Sequence, residues 1–122
     1  MPTRTSVARF TKMVEDGQFI EAMEKFYAPD ATAQENNDPP RVGLPALLAH
    51  ERKTLATFGR AHARCLDPAV IDGDRVVIHW LFEFHHPSGA VVRLDELAYQ
   101  RWRGERIVAE RFLYDPRQLR PG

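Results

Sequence analysis

The side chains best placed to do chemistry lie in the last third of the chain, Ala90 to Asp115. This stretch reads as two long strands joined at Arg103-Gly104-Glu105, and one face of the hairpin is apolar except for Glu96, Gln100 and Glu110. Carboxylates aimed where a core should be suggest the wall of a pocket. There they lose hydration and their neutral form is favoured. A glutamate pushed toward neutrality serves as a general base or acid. Two of them close together split their titrations, which supplies one base and one acid. The preceding strand carries the largest aromatic row in the chain, Trp80, Phe82 and Phe84, suited to core packing or to stacking on a ligand.

Other chemistries lack their signatures. There is no phosphate loop, zinc spacing, nucleophile elbow or dinucleotide glycine motif, so neither a cofactor nor a metal is expected. His85-His86 falls at a turn, where adjacent side chains diverge, and is no metal pair. The single cysteine, Cys65, excludes a disulfide within the chain and fits a reducing cytoplasm; it reads as a small buried apolar residue. Lys plus Arg number 17 and so do Asp plus Glu, with the basic residues dispersed, which argues against nucleic acid or an anionic membrane as partner. No apolar run reaches membrane-spanning length, and MPTRTSVARF lacks the apolar core of a signal peptide.

The elements that must position these residues follow from periodicity. Val7, Phe10, Met13 and Val14 predict a helix over 5–16, ended by Gly17. Phe19, Ile20, Met23, Phe26 and Tyr27 predict a second, stopped by Pro29, and Ala31 to Glu35 a short extended piece. After a loop at 36–40, Gly43-Leu44-Pro45 starts a third helix with Leu44, Leu47, Leu48, Leu55 and Phe58 as its stripe. His50, Glu51, Arg52 and Lys53 are expected in solvent. From Ala61 the period becomes 2. A strand over 61–71, interrupted at Asp67-Pro68, is followed by one over 75–85 and by the final hairpin, with turns at 72–74 and 86–89. The expectation is one α+β domain over 1–122, with a curved antiparallel sheet coiled as a cone around three N-terminal helices. Val77, Leu81, Val91, Leu97, Tyr99, Ala109 and Leu113 share the outward parity with His79, Glu83 and His85. That patch is too apolar to leave bare, so a homodimer through the outer sheet face is expected. Trp102, at the hairpin end, is expected to cover its edge.

The order of several short motifs resembles the NTF2-like superfamily, in its SnoaL-like and ketosteroid-isomerase-like branch. The motifs are Asp16-Gly17, Phe26-Tyr27-Ala28-Pro29-Asp30-Ala31-Thr32, Arg41-Val42-Gly43 and Gly104-Glu105-Arg106-Ile107-Val108. The resemblance implies a cone-shaped barrel whose concave face includes Ile78, Trp80, Phe82 and Phe84, then Leu94, Glu96, Ala98 and Gln100, then Val108, Glu110, Phe112 and Tyr114. By the same register His62 and Arg64 face inward. Ketosteroid isomerase combines a carboxylate base with a tyrosine and a protonated aspartate as oxyanion donors. The base position corresponds to Glu35, but the tyrosine corresponds to Phe10 and the aspartate to Ala98. The catalytic aspartate that the polyketide cyclases and epoxide hydrolases carry on the last strand falls on Phe112.

What the resemblance then implies is an apolar small-molecule ligand in a cup lined by Trp80, Phe82, Phe84 and Phe112. The polar residues that remain suggest Glu35 as base and Glu110 or Glu96 as acid, with His62 able to replace either. Arg64, Gln100 and Tyr114 would hold developing negative charge. The activity would be that of a cofactor-independent isomerase, cyclase or hydrolase. Two alternatives stand beside this. Arg64 could neutralise Glu96 or Glu110 in a buried ion pair without catalytic role. Equally, the cup could belong to a non-catalytic ligand-binding or accessory module.

Overall fold

The computed structural model describes residues 1–120 of the 122. Helices α1 (Arg4–Glu15), α2 (Phe19–Phe26) and α3 (Leu44–Thr57) accompany strands β1 (Tyr27–Glu35), β2 (Arg41–Val42), β3 (Arg60–Cys65), β4 (Val70–Asp72), β5 (Arg75–His85), β6 (Val91–Arg103) and β7 (Arg106–Leu113). A short 3-10 turn, Pro116–Leu119, closes the described chain. Thr3 caps α1 by accepting a hydrogen bond from the Ser6 amide at 3.0 Å. Gly17, at φ 83°, lets the chain turn directly into α2. Among the described residues no helix is long and apolar enough to cross a membrane.

The strands form one sheet in the order β2-β1-β7-β6-β5-β3, with β4 also paired to β5. Two-residue turns at Gly73-Asp74 and Gly104-Glu105 join β4 to β5 and β6 to β7. Both glycines have positive φ, at 63° and 60°, as such turns require. The sheet is mixed rather than purely antiparallel, because β1 pairs with β7 in parallel. This corrects two expectations. Helix α2 ends at Phe26, and Tyr27 is already extended at φ −88° and ψ 138°. Pro29 lies inside β1, where the β1–β7 register shifts between Tyr27 and Thr32; the missing amide costs no ladder bond in such an irregularity.

Along β6 burial alternates without a break, and Val92, Leu94, Glu96, Ala98, Gln100 and Trp102 all face inward. The expected parity fails at two places. The β6–β7 register shifts between Arg101 and Trp102, so Ile107, fully buried, replaces Val108 on the inner face. In β3, Ala61, Ala63 and Cys65 face inward, while His62 and Arg64 are exposed outside. Their direct partners on β5 are Glu83 and Leu81, and cross-strand partners share a face. Asp67-Pro68 separates β3 from β4 rather than bulging a single strand.

Helices α1 and α2 fill one end of the concave face. Phe10 meets Phe26 edge-on at 5.5 Å and Trp102 at 6.3 Å. Trp102 is therefore a core residue, only 2% exposed, rather than an edge cover. Ile107 sits across the hairpin from Trp102 in the same cluster. Truncating it leaves a void that packed rings cannot fill. Urea denaturation of Ile107→Ala is expected to show a loss of about 3 kcal/mol, within the range for a fully buried isoleucine.

Candidate functional site

The helices fill only one end of the curled sheet, and the other end is hollow. A cavity of about 560 Å³ lies between α3, the inner face of β5–β7 and the end of β1. Its apolar wall is aromatic. Phe82 and Phe84 stack at 6.0 Å, Trp80 lies 5.5 Å from Phe82, and Phe58 from the end of α3 packs on Phe84 at 5.1 Å. Of the expected site residues, Glu35, Glu96, Glu110, Trp80, Phe82, Phe84, Phe112 and Tyr114 all line this one cavity.

The carboxyls differ in their surroundings. Glu96 lies directly opposite Trp80 in the β5–β6 ladder and is 5% exposed. Burial, and then the charges of Glu110, Glu35 and Glu51, push its pKa up to about 9. At neutral pH it is a carboxylic acid with a proton to donate. Glu110, opposite Gln100 on the β6–β7 ladder, is 4% exposed. Burial raises its pKa, hydrogen bonds from Gln100 and Tyr27 restrain the rise, and the outcome is about 7. Behind it Trp102 Nε1 donates to Gln100 Oε1 at 2.9 Å, and Gln100 Nε2 donates to Glu110 Oε2 at 2.6 Å. The Tyr27 hydroxyl donates to Glu110 Oε1. Burial first, and then Glu110, hold the Tyr27 phenol well above its ordinary range, so it stays a donor. Glu35 stands at the end of β1 and accepts from Arg41 Nη1 at 3.0 Å and from the Tyr114 hydroxyl at 3.2 Å. Burial and then the charge of Glu35 push Tyr114 up to about 12.

His62 and Arg64, expected in the pocket, lie on the opposite face of the sheet for the register reason given above. Arg64 therefore pairs with neither Glu96 nor Glu110, and the neutralised-pocket alternative fails. Gln100 does not reach the cavity; fully buried, it backs Glu110. Further polar contributors, Tyr27, Arg41, His50 and Glu51, lie outside the expected set. His50 and Glu51 were expected in solvent, yet both line the cavity. Burial lowers the pKa of His50, with Arg41 adding to the effect, and burial raises that of Glu51 against the pull of Arg41. Their signal was available: Leu47, His50, Glu51, Thr54 and Phe58 follow one helical stripe through buried Leu47. Tyr27, expected at the end of α2, instead starts β1, which turns its hydroxyl to Glu110. Arg41 and His50 are the basic side chains of the lining. Among the described residues no group of three His, Cys, Asp or Glu side chains is placed to hold a metal ion.

Comparison with known proteins agrees with this architecture. A family model described as the SnoaL-like domain matches residues 7–110. No curated protein matches the chain in sequence. Among solved structures, an NTF2-like protein of unknown function from Burkholderia pseudomallei K96243 superposes with a TM-score of 0.78 at 14% identity, over 94% of this chain and 95% of that one. A protein with a ketosteroid isomerase-like fold from Catenulispora acidiphila DSM 44928, in complex with trimethylamine, gives 0.77 at 20% identity, over 93% and 88%. IdmH, a proposed polyketide cyclase from Streptomyces antibioticus, gives 0.75 at 22% identity, over 94% and 93%. At these identities the likeness is one of fold.

The raised carboxyls tie stability to pH. From their ordinary value of 4.5 up to about 7, the folded chain holds protons on both Glu96 and Glu110 that the unfolded chain has lost; from about 7 to about 9 it holds the one on Glu96. Stability therefore falls as pH rises through this window, by up to about 1.4 kcal/mol per pH unit for each such proton. Urea denaturation at pH 5, 7 and 9 should show the decline. Glu96→Gln should flatten it between pH 7 and 9 and leave the variant more stable than wild type at pH 9.

Proposed function

The chain belongs to the SnoaL-like domain family, within the NTF2-like superfamily, and from that premise we propose that it is a cofactor-independent proton-transfer enzyme. Its substrate is an apolar, oxygenated small molecule with a C–H bond acidified by a neighbouring carbonyl. The observation that carries the proposal is that two buried carboxyls of unequal proton affinity, Glu110 at about 7 and Glu96 at about 9, line one aromatic cavity. A base works best with a pKa near the working pH, which favours Glu110. A carboxyl kept neutral by an apolar site can donate a hydrogen bond to an oxyanion, which favours Glu96. The donor missing at Ala98 is thus replaced one pleat along β6, and the acid missing at Phe112 one pleat along β7.

In this reading the Glu110 carboxylate takes the proton from carbon. The C–H bonding pair moves into the carbon–carbon bond of an enolate, whose oxygen is held by the Glu96 O–H. Returning the proton to another carbon gives an isomerase; attack of the enolate carbon on a second carbonyl carbon breaks that C=O π bond, and the proton held by Glu110 passes to the resulting alkoxide oxygen, which gives a cyclase. Glu35, occupied by Arg41 and Tyr114 at the cavity wall, orients the substrate. Solvent-deuterium incorporation into 2-tetralone, a neutral bicyclic ketone, followed by proton NMR, tests the reading without the natural substrate. The rate should follow a bell with limbs near pH 7 and pH 9, because Glu110 must be ionised and Glu96 neutral. Glu110→Gln should lower it about a hundredfold or more, Glu96→Gln about a hundredfold, and Glu35→Gln less than about tenfold. Exchange that survives Glu110→Gln in a folded protein would overturn Glu110 as the base, and wild-type protein that exchanges no faster than buffer would favour the ligand-binding module instead.

We also propose a homodimer through the outer sheet face. Leu97 and Leu113 are direct cross-strand partners there, as are Val77 and Tyr99, and Leu97, Tyr99 and Leu113 are each about two-fifths exposed. Such a patch fits an interface better than open water. Sedimentation at micromolar concentration should give a dimer that Leu97→Glu with Leu113→Glu converts to a folded monomer.

A further inference from the structure

We infer that Gln100, its amide orientation locked by Trp102, is a positioning residue that decides which pocket carboxyl ionises first, making Glu110 the base and leaving Glu96 the acid. The inference rests on the proton-transfer reading and names the device that orders its two carboxyls.

The argument begins with an asymmetry of the amide. A glutamine side chain offers an acceptor oxygen and a donor nitrogen, and turning it over exchanges them. The indole Nε1–H of Trp102 can only donate, so Gln100 Oε1 must face it, at 2.9 Å. Nε2 is then forced toward Glu110 Oε2, at 2.6 Å. Gln100 is fully buried and Trp102 nearly so, which shields the amide from bulk solvent. An overturned amide would set N–H against N–H at Trp102 and oxygen against oxygen at Glu110. Its orientation is therefore fixed by a residue that never touches Glu110.

The bond from Gln100 favours the ionised form of Glu110, because a donor gains more from a carboxylate than from a carboxylic acid. The Tyr27 hydroxyl adds a second donor on the other oxygen. Glu96 has no comparable support, and only burial and neighbouring negative charge act on it. The remaining surroundings act on both carboxyls or, in the case of Glu35, reinforce this order. Glu51 from α3 opposes ionisation of both carboxyls. Glu35 from β1 opposes that of Glu96, which also faces Tyr114 beyond β7. Arg41 from β2 is engaged by Glu35, and His50 of α3 is the other basic group of the lining. The cavity-facing side chains of α1 and α2 are apolar, as are those of β5. Two donors on one carboxyl and none on the other add to the one-sided charge of Glu35, and Gln100 is the donor that costs the site no titratable group.

The test uses Gln100→Leu, which keeps the bulk and removes the donor, and Trp102→Phe, which keeps an aromatic ring and frees the amide to turn. Carboxyl carbon NMR of the intact protein follows Glu96 and Glu110 through a pH titration with no substrate present. Gln100→Leu should raise the Glu110 midpoint by about one pH unit or more, toward that of Glu96, and Trp102→Phe should move it the same way by less. The acid limb of 2-tetralone exchange should move with it. The rate then falls about tenfold at pH 6.5 but stays within about twofold of wild type near pH 8.5. Should Gln100→Leu fail to fold, Trp102→Phe carries the comparison. Unmoved midpoints in a folded variant, or a rate loss equal at every pH, would overturn the inference. Midpoints that shift in a protein without exchange activity would instead count against the proton-transfer reading and, with it, against the roles of base and acid.

Discussion

Placing carboxyls in an apolar wall is costly, and this fold does it twice without a cation bonded to either. Glu96 and Glu110 are more deeply buried than Phe58, Phe82, Phe84 and Phe112 beside them. Charge there is expelled rather than neutralised. Glu96 answers by keeping its proton, and Glu110 by recruiting Tyr27 and Gln100. Two outcomes from one constraint give the cavity both a proton donor and a proton acceptor close to neutral pH. The stability of the whole domain inherits the same constraint through its pH dependence.

That arrangement depends on where the sheet is irregular. The register shift between Arg101 and Trp102 moves Ile107 beneath the helices while Glu110 stays on the inner face further along β7. The matching irregularity in β1 lets Tyr27 point inward next to Ile107, and Ala33 lie beside Glu110. A regular ladder would send either Ile107 or Glu110 to the outside, because side chains alternate strictly along a strand. The bulged corner is thus the hinge between core and cup. Phe10, Phe26 and Trp102 pack on one side of it, and the two cavity carboxyls lie on the other.

The cavity also explains why so much of its lining is aromatic. Phe82, Phe84, Phe58 and Trp80 are stiff and large, and they keep the hollow open where smaller side chains would let it collapse. Their flat faces offer an apolar ligand contact without competing hydrogen bonds. The polar groups converge from β1, β2, β6, β7 and α3, so the specific contacts are few and come from several elements at once.

Several of these features were legible in the residues alone. Strict alternation along β6 made Glu96 and Gln100 inward, the aromatic row announced the wall, and Asp72-Gly73-Asp74 with Arg103-Gly104-Glu105 marked the turns. Such patterns are local, since period and turn chemistry act over a few neighbouring residues. His62 and Arg64 went the wrong way because Asp67-Pro68 hid the true β3–β5 register, and register belongs to two strands rather than one. His50 and Glu51 resemble solvent residues by polarity alone, but their place on the α3 stripe with Leu47 turns them into the cavity. The partnership of Tyr27, Gln100 and Trp102 around Glu110 joins residues up to 83 positions apart, and no local pattern encodes it. Sequence by itself determined that acidic groups would lie inside an apolar cup; only the tertiary structure decided which one keeps its proton, because proton affinity is set by neighbours that the chain brings together last.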